Sequence, residues 1–382
     1  MKILILTHEY PPYVFGGVAY YNFELARFLA SRGHKVYVVC GRGVDITKDN
    51  GVVIYRTNFP DIPIRSIWYS LSSIDIIMNL INKVDIVISN AGSIYAIHKI
   101  IKKNRKKLIS IFHGSIESLL SFFKYIKISH LKFISVGDIG YYLMAPLYDR
   151  IYRNEIKYAD NYIMVAHHVF SEILQLYKEF ENKILSNSYV IYTGINIDQL
   201  TSYFREQRRR NKYILAYVGR LYYTKGVYYA IKAFELIQNN YINDAELWIF
   251  GNGPLFNYIK NYSKKYKLRI KLFGFIPRDQ MYNYLYKYVN VLLFPSLYEG
   301  SPYALIEANA LGIPAVTWDL PWAHEFVING VNGYRAKFNS IEDIAQKAIK
   351  AHSLNSNTIR EITKKYDKKV QFNKLLNIIE NK

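Results

Sequence analysis

At 382 residues the chain exceeds one ordinary core, so two domains are the better expectation. Hydrophobic content of 51% against 21% charge excludes a tail-like or low-complexity protein, and no apolar run approaches the roughly 18–20 residues of a membrane span. A net charge of +20 favours anionic partners (nucleic acid, phosphorylated small molecules or an acidic membrane face), and the lone Cys40 excludes an intrachain disulfide or a cysteine-based zinc site.

The opening MKILILTHEY has one basic residue and a short apolar run with no small-residue cleavage site. It reads as a first buried strand at 2–7, not a signal peptide, and a cytoplasmic protein is expected. The loop HEYPPYVFGGV and an amphipathic helix near 19–32, closed by Gly33, come next. Strand-like runs follow at 35–41, 84–90, 107–114, 132–137 and 161–166, alternating with helical patterns in the manner of βαβ units. Two basic clusters interrupt this order, KKNRKK at 102–107 and REQRRRNK at 205–212. Each taken alone is most simply a solvated face.

After a breaker-rich stretch at 194–212 the pattern restarts. Strands are expected at 213–219, 245–251, 270–275, 289–296 and 314–318, with a helix at 227–239 and an amphipathic C-terminal helix at 366–380. This is a second open α/β unit of the doubly wound type, whose ligands bind at the carboxyl ends of strands.

Three loops at those strand ends carry matching chemistry. GRLYYTKG (219–226) supplies Arg220 and Lys225, cations able to neutralise a diphosphate leaving group. GNGP (251–254) and FGFIP (273–277) let backbone at Gly251, Phe275 and Ile276 approach a flat base. In LYEGSPYALIEANALGIPAV (297–316), Ser301 is a natural N-cap and Pro302 a natural first helical residue. The free N–H groups of Tyr303, Ala304 and Leu305 then face a phosphate, Glu307 can accept from a ribose, and Glu299 sits at the mouth. Arg220 or Lys225 alone would more often be a surface ion-pair partner; placement at successive strand ends makes the case for a site.

Residues 299–314 resemble the Glu-x7-Glu motif of retaining glycosyltransferases of the GT-B fold, those of glycosyltransferase family 4. GRLYYTKG resembles the family's G-R-x-x-x-x-K-G, and VNGYRA (331–336) its closing N-G-x-L stretch. The resemblance runs over nearly the whole chain and is strongest from 213 to 335. It implies two Rossmann-like doubly wound parallel-sheet domains facing a cleft: 1–205 for the acceptor, 206–365 for a nucleotide-sugar donor, and the helix 366–382 packing back on the first. It implies transfer of a sugar to an acceptor hydroxyl with retention. Arg220 and Lys225 would hold the diphosphate, Glu299 the transferring sugar and Glu307 the ribose. His113, in FHG (112–114), would touch the donor sugar, and Gly16 and Gly17 would meet the donor phosphates; outside that context His113 is a satisfied core histidine and the glycine pair a turn.

The chain departs from the family at Thr193-Gly194, Ala166 and Tyr366, which bears on the acceptor side. No Asp-x-Asp occurs, so no metal and no cofactor is expected. The insert 118–153 mixes aromatics with Lys and Arg. It fits either an anionic membrane surface or a core helix with a snorkelling basic edge, and we favour the membrane because acceptors of the resembled family are often lipid-linked. A nucleic-acid-directed protein remains the rival that the charge suggests, although zinc-finger spacing, basic-plus-heptad pattern and RNA-binding aromatics are all missing. A non-catalytic nucleotide-sugar binder is another, and the epimerases and phosphorylases that share the resembled fold are a third.

Overall fold

The computed structural model describes all residues except 15, 44, 61, 63, 135, 206–210 and 382. The expected division at 205/206 and most of the basic cluster 205–212 therefore lie outside the described residues. By its internal contacts the chain forms two units, Met1–Leu120 with Val136–Thr193 and Gln371–Lys382, and Ser121–Ser135 with Gly194–Val370.

In the first unit, runs rich in Val, Ile and Leu form the central strands with both faces covered, as parallel sheets require, and shorter, more exposed strands stand at the two edges of the sheet. The strands are β1 Lys2–Leu6, β2 Lys35–Gly41, β3 Ile46–Asp49, β4 Val52–Thr57, β5 Ile86–Asn90, β6 Lys107–Phe112, β7 Asn161–Met164 and β8 Ser188–Val190, in the order β3-β4-β2-β1-β5-β6-β7-β8. Among the described residues only β3 runs antiparallel to its neighbour. It joins β4 through Asn50-Gly51, both at positive φ, which is the preferred two-residue hairpin turn. The pattern reading passed over β3, β4 and β8.

The strand expected at 132–137 is not formed. Residues Ile128–Phe133 make a 3-10 helix and Val136–Leu143 an α-helix. β6 pairs directly with β7, so the sheet has no place for another strand between them, and a run of so few apolar residues cannot compete. The C-terminal helix Lys368–Glu380 lays Phe372 against Tyr21 and Phe28 (centroids 5.6 and 5.4 Å). Lys107, from the first basic cluster, donates to the Ile378 and Asn381 carbonyls at its end, each at 2.9 Å.

The second unit holds β9 Ile214–Val218, β10 Glu246–Phe250, β11 Ile270–Gly274, β12 Val291–Leu293, β13 Ala315–Trp318 and β14 Gly333–Ala336, parallel throughout, in the order β11-β10-β9-β12-β13-β14. The order reverses between β9 and β12. That switch point is where ligands of open α/β sheets bind, outside the strand carboxyl ends.

Candidate active site

The loops after β9 and β12 flank the switch point of the second sheet, and they carry Arg220, Lys225 and Glu299. Lys225 closes the 3-10 turn Tyr223–Lys225 and donates from Nζ to Glu299 Oε1 at 2.8 Å and to the Tyr298 carbonyl at 3.3 Å. The loops approach this closely because Gly226 has no side chain: a Cβ there would stand 1.9 Å from the Pro295 carbonyl oxygen. Beneath them, the buried Tyr217 hydroxyl is kept protonated by burial and then by the charge of Glu299. It donates to the carbonyls of Arg220 (2.9 Å) and Lys225 (3.1 Å). Tyr217 thus anchors both ends of the cationic loop, and its place inside a buried strand gave no sign of that role. The Arg220 guanidinium lies over the Tyr222 ring at 5.3 Å.

The helix Tyr303–Ala310 begins one residue later than expected. Pro302 stands at the N-cap with ψ 88°, outside the helical range, and makes no side-chain cap bond, so Ser301 is not the cap. Tyr303 and Ala304 are half-buried and Leu305 buried in its first turn. Glu307 is buried; Oε1 accepts from the Tyr282 hydroxyl at 2.7 Å and faces Arg278 at 3.4 Å, whose guanidinium also lies over the Tyr303 ring. Neither Tyr282 nor Arg278 was singled out from sequence, although Arg278 directly follows the FGFIP loop. Gly251 has φ 137° and donates to the Gly274 carbonyl at 2.8 Å, while a Cβ there would meet the Gly219 carbonyl oxygen at 2.0 Å. The loops after β9, β10 and β11 are so laced together. Phe275 is strongly exposed and Ile276 half-buried beside them.

The first unit carries His113, Gly16 and Gly17. His113 follows β6, and its Nε2 lies 2.7 Å from Asn90 Oδ1 at the end of β5. The Asn90 amide nitrogen donates to the Leu6 carbonyl and to Asn22 Oδ1, which fixes its oxygen as the acceptor and places the imidazole proton on Nε2. Burial, and then His8, depress the His113 pKa to about 3, so the ring is neutral and its Nδ1 is an acceptor. Gly16 precedes the helix Gly17–Ser31 and donates its N–H to Glu9 Oε2 at 2.8 Å, and a Cβ on it would meet nothing within 4 Å. Asn90 at the end of β5, Glu9 in the loop after β1 and Asn22 in the helix Gly17–Ser31 are buried polar groups that periodicity could not separate from core. Among the described residues no three His, Cys, Asp or Glu side chains gather in a way that could hold a metal ion.

Residues 15–199 match the family described as Glycosyltransferase Family 4, and residues 198–370 match Glycosyl transferases group 1. Sucrose-phosphate synthase from Thermosynechococcus elongatus superposes with a TM-score of 0.76 at 16% identity, over 99% of this chain and 98% of the other. The chain is a glycosyltransferase of the GT-B fold. Anabaena HepE, solved in complex with UDP, matches this glycosyltransferase over the whole of both chains (TM-score 0.73, 15% identity), which speaks to the fold alone. An uncharacterized glycosyltransferase of Methanocaldococcus jannaschii is 26% identical over 359 residues, 87% of this chain and 84% of its own. A UDP-Gal:α-D-GlcNAc-diphosphoundecaprenol α-1,3-galactosyltransferase of Escherichia coli is 32% identical over 144 residues, and the matched stretch spans only 37% of either protein.

Proposed function

We propose that this glycosyltransferase moves a sugar from a nucleoside diphosphate sugar to a hydroxyl of a glycan or lipid-linked acceptor, with retention of anomeric configuration. The observation that carries the reading is the Lys225–Glu299 pair at the β9/β12 switch point, with Arg220 in the same loop. The second unit is assigned the donor. Arg220, Lys225 and the first turn at Tyr303, Ala304 and Leu305 neutralise the diphosphate, a charge task that a divalent cation performs elsewhere, and no metal enters the reading. Glu307 holds the ribose, backbone at Gly251, Phe275 and Ile276 lies by the base, and Glu299 orients the sugar. The first unit is assigned the acceptor. Its Gly16–Gly17 backbone serves the donor phosphates, and His113, neutral, accepts a hydrogen bond from a sugar hydroxyl through Nδ1.

In the step itself the bond from the anomeric carbon to the diphosphate oxygen breaks. A bond from that carbon to the acceptor oxygen forms on the same face, and the acceptor proton passes to the departing diphosphate. The lipid-linked acceptor is supported by the name of the Escherichia coli relative. No helix among the described residues is long and apolar enough to cross a membrane, and the contact proposed is peripheral, on the cytoplasmic face, through the insert.

A thermal-shift panel of UDP, GDP, ADP and dTDP tests the donor site, with Glu307→Ala as control. One nucleotide at about 100 times its dissociation constant should stabilise the protein by roughly 2.7 kcal/mol, and the variant much less. No shift with any of them, with or without magnesium, removes the donor-site assignment.

A further inference from the structure

The insert of the first half has an inner face as well as an outer one. Residues Ser121–Ser135 group with the second unit, although the chain before and after them groups with the first. Ile128 and Leu131 are exposed there, whereas His130 and Phe133 turn inward onto one residue of the cationic loop. That residue is Tyr223, 2% exposed and first in the turn that ends at Lys225. Its hydroxyl lies 2.6 Å from His130 Nδ1 and is also hydrogen-bonded to the Tyr229 hydroxyl. The Phe133 ring stands parallel to that of Tyr223 (6.4 Å, 3°) and packs on Tyr228 and Tyr258 at 4.7 and 4.9 Å.

A three-residue 3-10 turn is weak by itself, and its conformation is set by what its side chains are tied to. Tyr217 holds the turn's flanking carbonyls from within the sheet, and Tyr223 ties its first residue to the helix Val227–Asn240 and to the insert. We infer that His130 is a positioning residue for the donor's diphosphate, fixing Tyr223 and through it the turn that presents Lys225. This rests on the reading of Arg220 and Lys225 as the diphosphate cations. The ribose end, held by Glu307 with Tyr282, lies on separate elements and does not depend on His130.

Calorimetric titration with UDP, GDP, ADP and dTDP and with the four monophosphates, on wild type, His130→Ala and His130→Asn, tests this. For the nucleotide that binds, His130→Ala should weaken the diphosphate roughly tenfold, the worth of one hydrogen bond, and change the monophosphate less than about twofold. His130→Asn, whose amide reaches the place of Nδ1, should recover most of the loss. Equal weakening of diphosphate and monophosphate, no weakening, or an Asn variant no better than Ala overturns the positioning role while the donor site stands. Binding of no nucleotide by wild type removes the donor-site reading and the inference with it. Melting temperatures of the variants within a few degrees of wild type separate lost positioning from lost fold.

Discussion

Gly226 shows how a single atom decides the meeting of two loops. Its φ of 78° lies in the left-handed region, and a Cβ would press 1.9 Å from the Pro295 carbonyl oxygen, a backbone atom that cannot swing aside. Gly226→Ala should therefore cost more than about 2 kcal/mol in urea unfolding, from left-handed strain plus a forced backbone shift. Because the shift separates the turn of Lys225 from the loop of Glu299, the same variant should lose most of its nucleotide-induced thermal shift. An alanine variant as stable as wild type would mean that the loops do not depend on this approach. The glycine and both charged residues were legible in GRLYYTKG and LYEGSP. Their contact was not, because 74 positions separate Lys225 from Glu299 and no local pattern encodes the distance between loop tips.

At the scale of elements, the helix Ala145–Tyr158 delivers a carboxylate into the first unit's core. Glu155 is fully buried and accepts from Ser110 Oγ at 2.8 Å, from the Gly92 N–H at 3.2 Å and from the Ser89 hydroxyl. Burial outweighs these bonds and raises its pKa to about 7. An acid with a raised folded-state pKa keeps its proton longer in the native chain than in the unfolded one. Its contribution is thus fully present below the unfolded value of 4.5 and is lost as pH rises through about 7. Unfolding free energy should fall by up to about 3 kcal/mol across that window, and Glu155→Gln should flatten the Glu155 part of the slope. Equal slopes in wild type and variant, by urea titration at several pH values, would sink the assignment. The sequence reading took this helix only as far as 153, as the end of an aromatic and basic insert, and passed over Glu155, since amphipathic spacing does not reveal which polar residue faces inward.

For the whole molecule the net charge of +20 is the dominant long-range term. The insert adds apolar anchors: Phe123, Ile128 and Leu131 are 58%, 85% and 49% exposed, interleaved with Lys124, Lys127 and Lys132. The proposed peripheral contact then predicts sedimentation with phosphatidylglycerol-rich vesicles and not with phosphatidylcholine. The binding should weaken as salt rises from about 0.05 to 0.5 M, where screening shortens to a few ångströms. Serine at positions 123 and 128 should reduce it further. Equal binding to both vesicle types, or none to either, would leave the insert only its inner face, on Tyr223.

The sequence by itself determined the alternation of buried strands and amphipathic helices, its restart after 194–212, and the residue types at the strand ends, because burial periodicity and turn chemistry are local. The strand pairing was decided only by the tertiary structure. It makes β9 and β12 neighbours and so creates the switch point, it closes the β3–β4 hairpin, and it leaves no place for a strand at 132–137. The partners Tyr282 for Glu307, Asn90 for His113 and His130 for Tyr223 likewise exist only in the folded chain. Each is a contact between elements far apart in sequence, and a hydrogen bond of that kind leaves no period to read.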